Sequence, residues 1–265
     1  MRTCFLSAAS ILVFGLVLLL RAEPDRDGDT IKVRLRLVDE RTDKSLAGVI
    51  RIFRQGSDKP LSLTGLPDRL RGLAKSDAVA GWYVVTADGV ETTLPRASLR
   101  LEAVSGLETA RTLQEIDLSK KGIAEMSVKL KFLFRPDEQK LVAGNTHLHL
   151  RDLTKKEADD YLRTVPAADG LKVLFISYLE RHKDDEHYIT NRYPLGTLKD
   201  FNTTGVLVNN GEEHRHNFGG YGQGYGHVMF LDINRLVKPV SLGPGITNGG
   251  NDDQSLLVGI ADARK

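Results

Sequence analysis

Residues 31–37 constrain the fold more tightly than any other stretch: Ile31, Val33, Leu35 and Leu37 alternate without exception with Lys32, Arg34 and Arg36. A helix, turning about 100° per residue, would spread both sets around its circumference, whereas a strand puts the apolar set on one side and the cations on the other. The segment is predicted as a half-buried antiparallel strand. A turn-rich run at 39–44 leads into a second strand at 46–53, and further strands are expected at 81–86, 98–104 and 124–134, with Gly, Pro, Asp and Ser between them. Short strands punctuated in this way predict an all-β sandwich over residues 30–136. The single cysteine, Cys4, lies outside that span, so the sandwich must hold by packing without a disulfide. Trp82 is the sole tryptophan, which leaves little material for an aromatic sugar platform.

Ahead of the sandwich, Arg2 is followed by a largely apolar run at 4–20 and then by Arg21, Ala22, Glu23 and Pro24. These are the parts of a secretory signal peptide over residues 1–22. Leu20 spoils the small-residue cleavage box, and the apolar run is close to the lower limit for crossing a bilayer, so an uncleaved N-terminal anchor is the competing reading. Either one predicts a secreted or periplasmic protein, membrane-anchored in the second case. Residues 23–29 carry Asp25, Asp27 and Asp29, but the twelfth position of a calcium loop counted from Asp25 is Arg36, so this stretch reads as a solvated linker. With 37 Lys and Arg against 35 Asp and Glu, the charge is too balanced for a nucleic-acid binder working by bulk attraction.

All seven histidines fall between His147 and His227, in the second half of the chain. His147 and His149 end an apolar run and, two apart on a strand, project to one side, where they are candidates to hold one metal or two neighbouring ones. Thr154 and Glu157 form a capping-box pattern ahead of a short helix that Pro166 is expected to end. The apolar run at 172–179 then predicts a parallel strand buried on both faces, so strand, helix and strand make a βαβ unit. A further strand at 205–208 empties into Glu212, Glu213, His214 and His216. Two carboxylates and two imidazoles are costly to bury unless a cation compensates them; the other reading is a solvated polar loop. A Gly-aromatic run at 218–226 is neither a Walker loop nor a dinucleotide fingerprint, and His227 opens the next strand.

Two family resemblances attach to these residues. Residues 33–49 resemble the opening hairpin of carboxypeptidase-regulatory-like, transthyretin-type domains. The segment Gly144-Asn145-Thr146-His147-Leu148-His149 resembles the first motif of the PHP (polymerase and histidinol phosphatase) superfamily. The run Asn209-Asn210-Gly211-Glu212-Glu213-His214, with Gly226-His227-Val228 after it, is similar to the CehA/McbA-type metallohydrolase branch. That resemblance implies a distorted (β/α) barrel, divalent metal ions (zinc, manganese or iron) and hydrolysis of ester, amide or phosphoester bonds in a small-molecule substrate. It implies His147 and His149 as metal ligands, Glu213 or Glu212 as the bridging carboxylate and His227 as a later ligand. Glu180 and His182 stand where the family has an acid directly followed by histidine, with Arg181 inserted between them. His214 and His216 are additional to the pattern, and either is a candidate to carry the proton to a leaving group.

The family's later ligands have no counterpart after His227, and a complete barrel needs about 200–250 residues, whereas 138–265 supplies 128. The expected architecture is therefore multidomain: an N-terminal sandwich followed by an incomplete α/β, PHP-like domain, with a second chain as a partner able to complete the barrel. The alternative function is a catalytically inactive, truncated barrel acting as a metal- or ligand-binding surface module.

Overall fold

The computed structural model describes residues 29–70, 80–119, 125–179, 188–196, 198–217, 224–238 and 256–265. Among them the chain is mostly β. The alternating segment is β1 (Thr30–Asp39), followed by β2 (Ser45–Leu46), β3 (Gly48–Arg54), β4 (Tyr83–Val85), β5 (Val90–Pro95), β6 (Ser98–Val104), β7 (Thr112–Asp117) and β8 (Glu125–Leu130). They form two sheets, one ordered β2-β1-β5 with β8 on β1, the other β4-β3-β6-β7. Val33, Leu35 and Leu37 are fully buried in one apolar cluster with Ile50 and Ile52 of β3 and Leu99 and Leu101 of β6, so side chains of both sheets share that core. On the outer face Lys32 pairs with Glu91 of β5 at 2.5 Å.

Two details depart from the sequence reading. β1 is antiparallel to β2 and β5 but parallel to β8, so it is flanked by neighbours of both senses. β5 and β7 were not foreseen: β5 offers only Val90 and Leu94 as strongly apolar residues, and β7 lies at a sheet edge with Leu113 largely exposed. Both alternate in burial, but the inward positions include Thr92 in β5 and Thr112 and Gln114 in β7, so the apolar alternation that marks a half-buried strand is broken. Trp82 is partly buried, with the Arg51 guanidinium 4.7 Å from its ring, and does not present a flat sugar platform.

The turn after β1 is fixed by Asp39, which is 4% exposed. Its carboxylate accepts two bonds from the Arg135 guanidinium, at 3.0 and 2.8 Å, one from the Thr42 hydroxyl at 2.7 Å and one from the Arg41 N–H at 3.0 Å. The Arg135 bonds hold this carboxyl well below the usual carboxylate range, outweighing burial, which acts in the opposite sense. A depressed carboxyl stabilises the fold fully above its unfolded pKa of about 4 and loses that contribution as pH falls toward the depressed value. Asp39→Asn is therefore expected to cost about 1–3 kcal/mol at neutral pH and to flatten the acid limb of the stability curve. Urea unfolding between pH 7 and pH 3 checks this; an unchanged acid limb would contradict it.

The second half forms one mixed sheet ordered β12-β11-β10-β9, from β9 (Gly144–Leu148), β10 (Val173–Tyr178), β11 (Leu207–Asn217) and β12 (Gly224–Leu231). β9, β10 and β11 are parallel, and β12 returns antiparallel to β11. Helix α1 (Lys155–Ala168) makes the crossover from β9 to β10, so the expected βαβ unit is present, and its capping box between Thr154 and Glu157 is formed. The helix runs through Pro166 instead of ending there. Proline forfeits one N–H bond, but only Ala167 and Ala168 follow it, and the Pro166 carbonyl still accepts from Leu171 N–H at 2.9 Å. Leu174 and Ile176 of β10 are fully buried under α1, whereas the opposite side is only partly covered at Val173 and Phe175. Helix α2 (Leu256–Ala263) packs Gly259 near Phe230 of β12.

The two halves share side chains. Val49 and Val84 belong to the same buried cluster as Tyr161, Leu162 and Val165 of α1. Arg69 forks onto Asp169 at 2.9 and 2.7 Å. Gly106, at φ +61°, donates its N–H to the Ala168 carbonyl, and a Cβ there would meet the Asp169 carbonyl oxygen at 2.8 Å. No helix among the described residues is long and apolar enough to cross a membrane. The export or anchor segment and most of the linker lie outside the described residues.

Candidate metal centre

The site is set by which side of the second sheet each side chain occupies. Leu148 is opposite Ile176 and packs into the α1 cluster, so its neighbours His147 and His149 are turned to the other side. A register shift makes this possible: from Asn145 to Leu148 β9 advances three residues while β10 advances two, from Leu174 to Ile176. The extra residue is a bulge, and the Asn145 side-chain oxygen accepts the His147 N–H there at 3.0 Å.

In β11 successive residues alternate between the same two sides. Val208 joins the α1 cluster, so Glu212 and His214 belong to the α1 side and Glu213 to the histidine side. β12 continues the pattern: Phe230 is opposite Glu212, while His227 is opposite Arg215 and shares the side of Glu213. The sheet curls, which brings side chains of non-adjacent strands together above β10.

On that side Glu213 Oε2 lies 2.7 Å from His149 Nε2 and 3.2 Å from His147 Nε2, and the two ring nitrogens are 3.0 Å apart. Glu213 Oε1 lies 2.7 Å from His227 Nδ1. The Glu213 side chain is 1% exposed, whereas those of His147 and His227 are 42% and 39% exposed, so a buried carboxylate forms the floor and imidazoles the rim. Burial pushes the Glu213 carboxyl up, but the hydrogen bond from His149 and the attraction of His149, His227 and His147 together bring it below its ordinary value. The donor set fits a cation. Two ring nitrogens and a carboxylate oxygen converge on one point, where lone pairs repel unless a proton or a metal lies between them. His147, His149 and Glu213 are thus a group able to hold a metal ion.

The structure brings four of the candidate residues together: His147, His149, Glu213 and His227. It corrects two others. Glu212 was expected as an alternative bridging ligand and His214 as a proton carrier, but the strand pleat points both to the α1 side. There they pair with each other at 2.8 Å, and the second Glu212 oxygen accepts the Val237 N–H at 2.7 Å. The polar run 212–216 is no loop; it lies within β11, because β12 supplies it with an antiparallel partner. Glu180 and His182, and the side chain of His216, lie outside the described residues, as does most of the Gly-aromatic run.

Two neighbours of the site were not foreseen. The Tyr188 ring stands 5.1 Å from that of His149, and nothing in its local sequence marks it. Ser177, fully buried on β10, is a polar interruption of the apolar run 173–179, which is a legible signal. No protein-family model matches the chain, and no curated protein matches it.

Proposed function

We propose that the protein is an exported metal-dependent hydrolase of the PHP superfamily, CehA/McbA-type, built as an N-terminal carboxypeptidase-regulatory-like β-sandwich followed by a distorted (β/α) barrel-like domain. The observation that carries this reading is the convergence of His147, His149 and His227 on the buried carboxylate of Glu213. These four residues would hold a divalent ion: zinc, manganese or iron. Bound there, such an ion supplies an acidified water and polarises a carbonyl or phosphoryl oxygen.

The chain's own contribution is placement. Glu213 supplies a fixed negative charge that needs no reorganisation when a cation or a proton is bound. The exposed edges of His147 and His227 leave the rim open to a small-molecule ester, amide or phosphoester. With His214 turned to the α1 side, proton delivery to a leaving group falls to a rim imidazole or to solvent. A second chain that completes the barrel would extend the sheet beyond β12, whose one partner strand among the described residues is β11.

The test is metal analysis of the full chain grown with zinc and manganese, followed by ester, amide and phosphoester assays before and after chelation. The expected result is bound metal in stoichiometric amount and hydrolysis that chelator removes and added metal restores. No metal above background would sink the proposal. Stoichiometric metal without turnover of any of the three bond types would replace it with the second reading, a metal-binding surface module, which the same four-residue convergence supports.

A further inference from the structure

His149 and Glu213 come from strands that are not neighbours. β10 lies between β9 and β11, and adjacent strands are spaced about 4.8 Å apart, so the contact bridges about 10 Å and must pass over β10. The register fixes where. Leu148 is opposite Ile176 and Ser177 is opposite Gly211, so the crossing passes over Ser177, one step beyond the last β9 pair. Gly211 and Ser177 are both small, which leaves the space the imidazole uses.

A second observation singles out the same place. Ser177 Oγ and His149 Nδ1 are both buried polar atoms without a hydrogen-bond partner among the described residues. Ser177 is 0% exposed. An unsatisfied buried hydroxyl and an unsatisfied ring nitrogen are each unfavourable, and here they occupy adjacent positions on one side of the sheet. A metal-binding imidazole normally engages a hydrogen-bond acceptor through its second nitrogen, which fixes both tautomer and ring orientation.

We propose that Ser177 is the positioning residue for His149: a water held between Ser177 Oγ and His149 Nδ1 fixes the imidazole so that Nε2 stays aimed at the point shared with His147 and Glu213. The proposal deepens the metal-centre reading and rests on it for its affinity readout. Zinc binding by wild type decides that reading, and the response of the affinity to substitution at Ser177 decides this one.

The experiment compares wild type, Ser177→Ala, Ser177→Thr and Ser177→Val in the full chain. Zinc affinity is read by competition with a chromophoric chelator, and thermal stability alongside. The expected result is wild-type affinity in Ser177→Thr, which keeps the hydroxyl, and weaker binding in Ser177→Ala. Zinc affinity should fall about 10-fold in Ser177→Ala, the lower end of the range for losing an outer-shell partner, with melting temperature unchanged or raised. Ser177→Val, filling the crossing, should lose more affinity than Ser177→Ala. A loss of affinity in Ser177→Thr equal to that in Ser177→Ala overturns the proposal, because the hydroxyl is then not the group that acts. Zinc binding by wild type with unaltered affinity in Ser177→Ala also overturns it. Absence of zinc binding in wild type defeats the metal-centre reading and, with it, this role for Ser177.

Discussion

Glu213→Gln is expected to abolish stoichiometric metal binding. The amide keeps the size and shape of the carboxylate but removes the negative charge toward which His147, His149 and His227 all converge. It also presents an NH2 group to ring nitrogens, and a donor cannot ligate a cation. The loss should exceed about 100-fold in metal affinity, beyond the 10–100-fold typical of an outer-shell partner, and hydrolysis should fall with it. Because the residue lies on the floor of a rim-lined site and the substitution is isosteric, the folded structure should persist, as read by near-ultraviolet circular dichroism. Retention of near-stoichiometric metal by a folded Glu213→Gln protein would show that the ligand set is elsewhere.

The adjacent residue predicts the reverse outcome. Glu212→Ala should destabilise the chain by about 3 kcal/mol while leaving metal stoichiometry in the folded fraction unchanged. Glu212 is 1% exposed and satisfies two groups at once, the His214 ring and the Val237 N–H, both themselves buried. Removing it leaves His214, 1% exposed and edge-on to Phe230 at 4.9 Å, without that carboxylate. It also takes the acceptor from Val237 N–H at the start of the passage toward α2. Urea unfolding of metal-free wild type and variant gives the stability difference, and metal analysis of the folded variant gives the stoichiometry. The two substitutions, one residue apart, thus separate the two sides of the sheet; equal effects on metal binding would mean that β11 does not have the pleat described.

The parts of this arrangement that were legible in the sequence are those governed by period. The alternation at 31–37, the Thr154–Glu157 cap and the apolar run ending near Leu179 each point to a local element by spacing alone, and each element is present. The pairing of His147 with His149 was legible for the same reason. The partition of Glu212 from Glu213 was not. A cluster of four chemically apt residues reads the same whether it is a loop or a strand, and only the partner strand β12, 224–231, decides that it is extended. The bulge in β9 was equally hidden, because one extra residue against β10 is a property of the pair and of neither strand alone. β5 and β7 were missed because polar residues, Thr92 in the first and Thr112 and Gln114 in the second, occupy positions on the inward side.

The shared packing at the junction of the two halves has a consequence for cutting the chain. Val49 and Val84 complete the core beneath α1, and Arg69 and Gly106 grip the end of the same helix at Asp169 and Ala168. A fragment beginning near residue 137 would strip that helix of its outer cover, and the crossover between β9 and β10 would lose the brace that holds those strands at the spacing the histidines bridge. The N-terminal half is thus a buttress to the half that carries the histidine–carboxylate cluster, and a truncation intended to isolate that cluster would dismantle its scaffold.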